Sequence, residues 1–188
     1  MAGRPNNNKK GGKPSATRPV FPFTALVGQE EMKLALLLNV VAPAVGGVLV
    51  MGHRGTGKST AVRALADLLP QLSAVQGCAY NCDPSGADDL CDGCSAALSS
   101  AGALKRERRS VPVVELPLGA TEDRVCGTID LGRALKEGIK AFEPGLLARA
   151  NRGFLYIDEV NLLEDHLVDL LQDRLTLGGV RLLALRLQ

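Results

Sequence analysis

The sequence has no long uncharged apolar run: its most apolar stretch, Leu34 to Val50, is broken by Asn39, Pro43 and Gly46-Gly47 and offers no membrane helix. The first residues also lack the apolar segment that a secretory signal requires. Charge of one sign is scarce as well. Lysine and arginine total 22 against 20 aspartates and glutamates, and a net charge of +2 supplies no basic field for general nucleic-acid binding. Only two histidines occur, His53 and His166, and each stands alone, where packing or solvent contact is the simpler reading. These absences lead us to expect a cytoplasmic protein with no membrane span and no nucleic-acid partner.

Against these lacks, 46% hydrophobic residues in a chain of 188 suffice for one domain with a real core. Met1 to Pro19 hold Asn6-Asn7-Asn8, Lys9, Lys10 and Lys13 without an apolar run, so residues 1–20 read as a disordered basic arm. The folded core is expected over 21–173. Residues 174–188, an acid-free mixture of leucine, arginine and glycine, stand apart as an atypical tail.

Within the core, helical spacing predicts a helix over Glu30 to Val41, stopped by Pro43. Val48 to Met51 is a short buried-strand run, and a glycine-rich loop leads from it into a helix over Thr60 to Leu69. From Gln71 to Arg109 the pattern breaks down, and Lys105 to Arg109 reads as a solvated loop. Val111 to Leu116 reads as a second strand. Thr121-Glu122-Asp123 opens a helix that Gly127 to Asp130 interrupts, a second helical piece starts near Leu131, and Pro144 suits the first turn of the next helix. Phe154 to Ile157 is a strand, and Asn161 with Glu164 resembles a capping box that starts a final amphipathic helix. The order is that of an α/β fold with a parallel sheet.

Gly52-His53-Arg54-Gly55-Thr56-Gly57-Lys58-Ser59 matches the phosphate-loop pattern in full and lies between a strand and a helix, the setting such a loop needs. Its glycines let backbone amides point at phosphate oxygens, and the following helix adds its positive N-terminal end. Lys58 then supplies charge at the β and γ phosphates, Ser59 a hydroxyl for Mg2+, and Thr60 a neighbour for the α phosphate. The run Phe154 to Ile157 ends in Asp158-Glu159. An acid at such a strand end sits near the magnesium shell, which assigns Asp158 to the metal and Glu159 to orienting and deprotonating the attacking water. Lys58, Asp158 and Glu159 are therefore the expected catalytic residues of an ATPase using ATP and Mg2+.

Four of the five cysteines, Cys78, Cys82, Cys91 and Cys94, form two close pairs around a turn-rich acidic stretch. Four thiolates suit tetrahedral Zn2+, and iron–sulfur ligation or reduced thiols are the alternatives.

Phe23 to Glu30, Gly52 to Ser59, Leu116 to Arg124 and Phe142 to Gly153 together resemble the ATPase (I) subunits of magnesium chelatases. The resemblance runs from about Phe21 to Leu171. It implies a P-loop AAA+ core of the helix-2-insert type, in ring-forming subunits whose ATP hydrolysis drives magnesium insertion into protoporphyrin IX by other chelatase subunits, D-type and porphyrin-binding H-type. It further implies that Val27 and Gly28 lie near the adenine and that Gly127 to Leu131 belong to the inserted segment facing partner subunits. Cobaltochelatase-type ATPases are similar, so two other readings stand beside the first: a cobaltochelatase ATPase, and a nucleotide-binding or interaction module without turnover. After Asp173 the sequence departs from the family's pattern, and the expectation is a C-terminally incomplete core, truncated or frame-shifted, lacking the sensor asparagine, arginine finger and helical lid.

Overall fold

The computed structural model describes residues 21–53, 55–86, 89–138, 142–176 and 180–186. The arm expected over residues 1–20 lies outside the described residues. A single 3-10 turn, Phe23–Ala25, precedes helix α1 (Glu30–Val41), and a second, Pro43–Val45, leads into β1 (Gly47–Met51). Helix α2 (Lys58–Leu68) follows the phosphate loop, then β2 (Leu72–Val75), α3 (Asp92–Ala101), β3 (Arg106–Arg109) and β4 (Val113–Leu116). Helix α4 (Glu122–Cys126), β5 (Gly127–Ile129), α5 (Leu131–Glu137), β6 (Phe142–Pro144), α6 (Leu146–Ala150) and β7 (Phe154–Ile157) come next. A 3-10 turn (Val160–Leu162), α7 (Asp165–Thr176) and β8 (Arg181–Arg186) complete the order.

The main sheet has the order β1-β8-β7-β4, with every neighbouring pair parallel. Parallel strands need cover on both faces, which is why β7 is a continuous apolar run, buried at all four positions. Its side chains alternate between two cores. Phe154 and Tyr156 pack with Leu36, Val62 and Leu65 of α1 and α2, whereas Leu155 and Ile157 pack with Leu146, Leu167 and Leu171 of α6 and α7. Fully burying each such large side chain contributes about 1.5–3 kcal/mol, so this one strand ties the two layers together.

The segment set apart on the sequence as an atypical tail contains the end of α7 and all of β8, and β8 lies inside the sheet between β1 and β7. Leu183 faces the first core, while Leu182 and Ala184 face the second. Leu182, Leu183 and Ala184 fit that central slot because the middle of a strand covered on both faces must be apolar, and Arg181 at its first position lays its guanidinium over the Phe154 ring.

Four local expectations are corrected. The basic run Lys105 to Arg109, expected as a solvated loop, contains strand β3, paired antiparallel with β2 in a separate ribbon. Arg109 is held there by Glu107 and by the Cys78 carbonyl. Pro144 ends β6 instead of opening a helix, because its ring suits a strand end paired across to Gly127. The capping-box start at Asn161 is a 3-10 turn, and α7 begins only at Asp165. The helix expected from Thr60 also begins earlier, at Lys58, which places Lys58 and Ser59 in its first turn.

Hairpin β5–β6 encloses α5 and stands out between α4 and α6. Its base is a close backbone approach: a methyl group on Gly145 would lie 2.4 Å from the Gly127 nitrogen and from the Val125 oxygen. Only glycine fits there. The exposed apolar side chains Ile129, Leu131, Leu135 and Phe142 lie on this projection, which contains Gly127 to Leu131, the stretch that the family resemblance implies is an insert.

Candidate nucleotide site

The phosphate loop turns at Gly52, Gly55 and Gly57, with φ of 146°, 79° and 75°. A side chain at any of the three would be strained, so the tight curl depends on glycine. The loop ends with Gly57 in left-handed conformation as the N-cap of α2, which aims the helix's free amides into the curl. Lys58 is only 7% exposed although it is charged. Its Nζ donates to the Gly52 carbonyl at 3.0 Å, to the His53 carbonyl at 2.6 Å and to Thr56 Oγ1 at 3.2 Å. The ammonium thus spans the mouth of the loop, where a phosphate can take over from the carbonyls. Ser59 and Thr60 follow on the exposed side of the first turn. Arg54 lies outside the described residues.

Because β1, β8 and β7 run parallel, their carboxyl ends share one edge of the sheet. The register sets Val50 and Met51 beside Leu185 and Arg186, and Ile157 beside Ala184, so the phosphate loop and Asp158-Glu159 emerge on the same side. Ligands of open α/β sheets bind in that position. Asp158 is exposed there. Glu159 adopts φ 56° and ψ 58°, a left-handed conformation unusual for a non-glycine residue, as it caps the following 3-10 turn. Such strain costs of order 1–3 kcal/mol and persists where surrounding structure holds it, commonly at functional sites.

Two residues outside the sequence candidates tie this site together. Gln29, also left-handed at φ 55°, donates from Nε2 to the Thr56 carbonyl at 2.6 Å. It joins the Val27-Gly28 segment to the phosphate loop. Val27 is 97% exposed and Gly28 has φ 76°, an apolar side chain and an open backbone beside the loop. Tyr156, on β7, is the second. Its phenol is pushed up to about 12, first by burial and then by the Asp158 charge, while the Ser59 side chain acts in the opposite direction from the first turn of α2. A tyrosine inside an otherwise apolar strand was the available signal, since a buried hydroxyl needs a partner. Gln29 gave no such signal because its role depends on a backbone conformation. Gln29→Ala is expected to weaken ATP binding roughly fivefold, the equivalent of one net hydrogen bond of about 1 kcal/mol, measured by isothermal titration.

The nucleotide candidates form an open loop at the sheet edge. A cavity of about 360 Å³ lies elsewhere, between α4, hairpin β5–β6 and α6, lined by Arg124, Thr128, Glu143 and Arg149 among others. It includes none of the expected nucleotide ligands.

The cysteines form a second, separate cluster. The Sγ atoms of Cys78, Cys82, Cys91 and Cys94 all lie within 4.8 Å of one another, and all four residues are free thiols. Burial pushes Cys78 up, but the backbone N–H groups of Cys82 and Tyr80 and the adjoining thiols outweigh it and bring it down to about 7. Burial pushes Cys82 up to about 11 and raises Cys94 as well.

A glycine-shaped anion cradle after β1, a buried lysine across it and two acids at the end of β7, on the same sheet edge with β8 between, define a P-loop nucleotide-binding core. The AAA domain family matches residues 45–184, and the chain belongs to that family. The chain is 62% identical over 164 residues to the magnesium-chelatase subunit ChlI of Nostoc sp., covering 87% of this chain and 44% of that protein. It is 62% identical to ChlI of Pyropia yezoensis, covering 86% of this chain and 45% of the relative, and 59% identical to the chloroplastic ChlI of Chlamydomonas reinhardtii, covering 86% and 39%. It is also similar to a solved structure of the complex between subunits BchI and BchD of magnesium chelatase, with a TM-score of 0.73 and 51% identity over 90% of this chain and 56% of that one. The resemblance to magnesium chelatase I subunits seen in the sequence is therefore borne out, and the chain spans less than half the length of the curated relatives named. Among the described residues, no helix is long and apolar enough to cross a membrane.

Proposed function

We propose that this chain is the nucleotide-binding core of a magnesium chelatase motor subunit, which binds ATP with Mg2+ and hydrolyses it in assembly with D-type and porphyrin-binding H-type subunits. In that assembly its copies form a ring, and metal insertion into protoporphyrin IX takes place on a partner subunit. Lys58 and the loop amides hold the β and γ phosphates, Ser59 and Asp158 hold Mg2+, and Glu159 takes a proton from the attacking water. Bound Mg2+ supplies charge neutralisation at the phosphates. Gln29 keeps the Val27-Gly28 segment beside the loop for the base, and Tyr156 orients Ser59.

The observation that carries this reading is Lys58: a buried ammonium held by loop carbonyls at 2.6 and 3.0 Å, on the sheet edge from which Asp158-Glu159 also emerge. A structural lysine would instead be paired with a carboxylate or be solvated. Calorimetric titration of the chain with ATP is expected to show saturable binding that weakens when Mg2+ is chelated. Absence of binding at millimolar ATP would sink the proposal.

A further inference from the structure

The cysteine cluster belongs to a module that the nucleotide site does not use. Ribbon β2–β3 closes its base, with Gln76 donating its backbone N–H to the Lys105 carbonyl, and Cys94 sits in the first turn of α3 with Cys91 as that helix's N-cap. Inside, the core consists of Val75 and three of the cysteines, with Tyr80, Leu90, Cys91 and Leu104 packed around them. That is too little apolar surface to order such a segment unaided, the situation in which small modules use a metal.

The geometry of the sulfurs selects the kind of metal site. A Zn–S bond of about 2.3 Å places the thiolates of a tetrahedral site about 3.8 Å apart. Cys78 Sγ and Cys91 Sγ are 3.9 Å apart, and no pair among the four exceeds 4.8 Å. A polynuclear iron–sulfur cluster places several irons and bridging sulfides between its thiolates and spreads them wider than this. The backbone around the sulfurs is also arranged for anions: Tyr80 N–H donates to Cys78 Sγ at 3.3 Å, and Cys91 N–H donates to Cys82 Sγ at 3.2 Å. Such outer hydrogen bonds orient thiolate ligands and offset their charge.

The loop between the first two cysteines reaches the main domain. Asn81, 8% exposed and left-handed at φ 52°, donates from Nδ2 to the carbonyls of Arg149 and Asn151 at 3.3 and 3.4 Å, and accepts from Arg109 Nη1 at 2.7 Å. Asn151 Nδ2 returns a bond to the Tyr80 carbonyl at 2.7 Å. Arg152 pairs with Asp83 at 2.9 Å and donates to the Ser73 carbonyl at 2.6 Å. Everything converges on the turn between α6 and β7, at the opposite end of the strand that presents Asp158-Glu159.

We propose that Cys78, Cys82, Cys91 and Cys94 bind one Zn2+ in a closed tetrahedral structural site, and that the bound metal holds residues 78–83 in the shape that clamps the α6–β7 turn. Zn2+ enters without redox change, and each thiol that becomes a ligand releases its proton to solvent. No position is left for substrate, so the site is structural.

The test uses the chain purified without metal affinity steps. Elemental analysis is expected to find one zinc per chain, and exchange for Co2+ to give the intense red d–d absorption and near-ultraviolet sulfur-to-cobalt charge transfer of a tetrathiolate. Cys91→Ser with Cys94→Ser should lose both signals. Since removing ligands also removes part of the small core, the unaltered chain decides: iron with sulfide, iron alone, or a folded metal-free chain that takes up Co2+ without a thiolate spectrum would overturn the site. For the clamp, stripping the metal with a chelator should speed amide exchange around Asn151 and Gly153 by roughly tenfold and leave α1 unchanged. Unchanged protection at that turn would overturn the clamp even with zinc present.

Discussion

Replacing Lys58 by alanine is expected to weaken ATP binding about a hundredfold, since a charge-assisted contact to phosphate is worth roughly 1.5–3 kcal/mol and Lys58 would make more than one. The fold should survive the change. The aliphatic stem lies at the start of α2, and the groups its ammonium contacts, the Gly52 and His53 carbonyls and Thr56 Oγ1, belong to the loop and can turn to water. Lys58→Arg should not restore binding, because a planar fork cannot occupy the compact position of an ammonium inside a glycine curl. Calorimetric titration with ATP, alongside circular dichroism to confirm folding, measures both outcomes. Binding within twofold of the unaltered chain would remove Lys58 from the site.

The second large effect separates binding from chemistry. Glu159→Gln keeps the shape of the side chain and removes its ability to accept a proton, so ATP turnover in the proposed assembly should fall by about 10²–10⁴ while ATP affinity of the chain stays close to that of the unaltered protein. Asp158→Asn should behave differently. Losing a carboxylate beside Mg2+ weakens the Mg2+-dependent part of nucleotide binding as well as turnover. Steady-state hydrolysis with partner subunits present, set beside titration of the chain alone, distinguishes the two acids. Equal losses of affinity in both variants would contradict their separate roles.

Both predictions rest on residues that were legible in the sequence, and the reason is the same for each. The phosphate loop is a contiguous backbone device in which every glycine has a local steric job, visible in the structure as positive φ at Gly52, Gly55 and Gly57. Strand β7 was equally plain, because a parallel strand buried on both faces must be apolar throughout, and Phe154 to Ile157 is. Contacts between distant segments were not legible. Gln29 reaches Thr56 across 27 residues, and Tyr156 reaches Ser59 between two layers; neither leaves a periodicity behind.

The insertion shows the same limit from the other side. The sequence displayed two cysteine pairs and left zinc, iron–sulfur and free thiols open, since spacing along a chain does not fix distance in space. Folding brings the four sulfurs within 4.8 Å and places Asn81 against the α6–β7 turn, which turns a ligand count into a geometry. Charge misled in this region: Lys105 to Arg109 looked solvated, yet pairing with β2 and the Glu107 contact order part of it as a strand.

By itself, then, the sequence determined the phosphate loop, the carboxylate-bearing strand and the family resemblance, all of which are written in short contiguous stretches whose local physics admits one reading. The tertiary structure alone decided that 181–186 forms a strand between β1 and β7, that the loop and Asp158-Glu159 share one sheet edge, and that the cysteine module grips the base of β7. Those outcomes depend on which elements lie side by side. A chain order leaves that unstated until burial and backbone pairing select one packing.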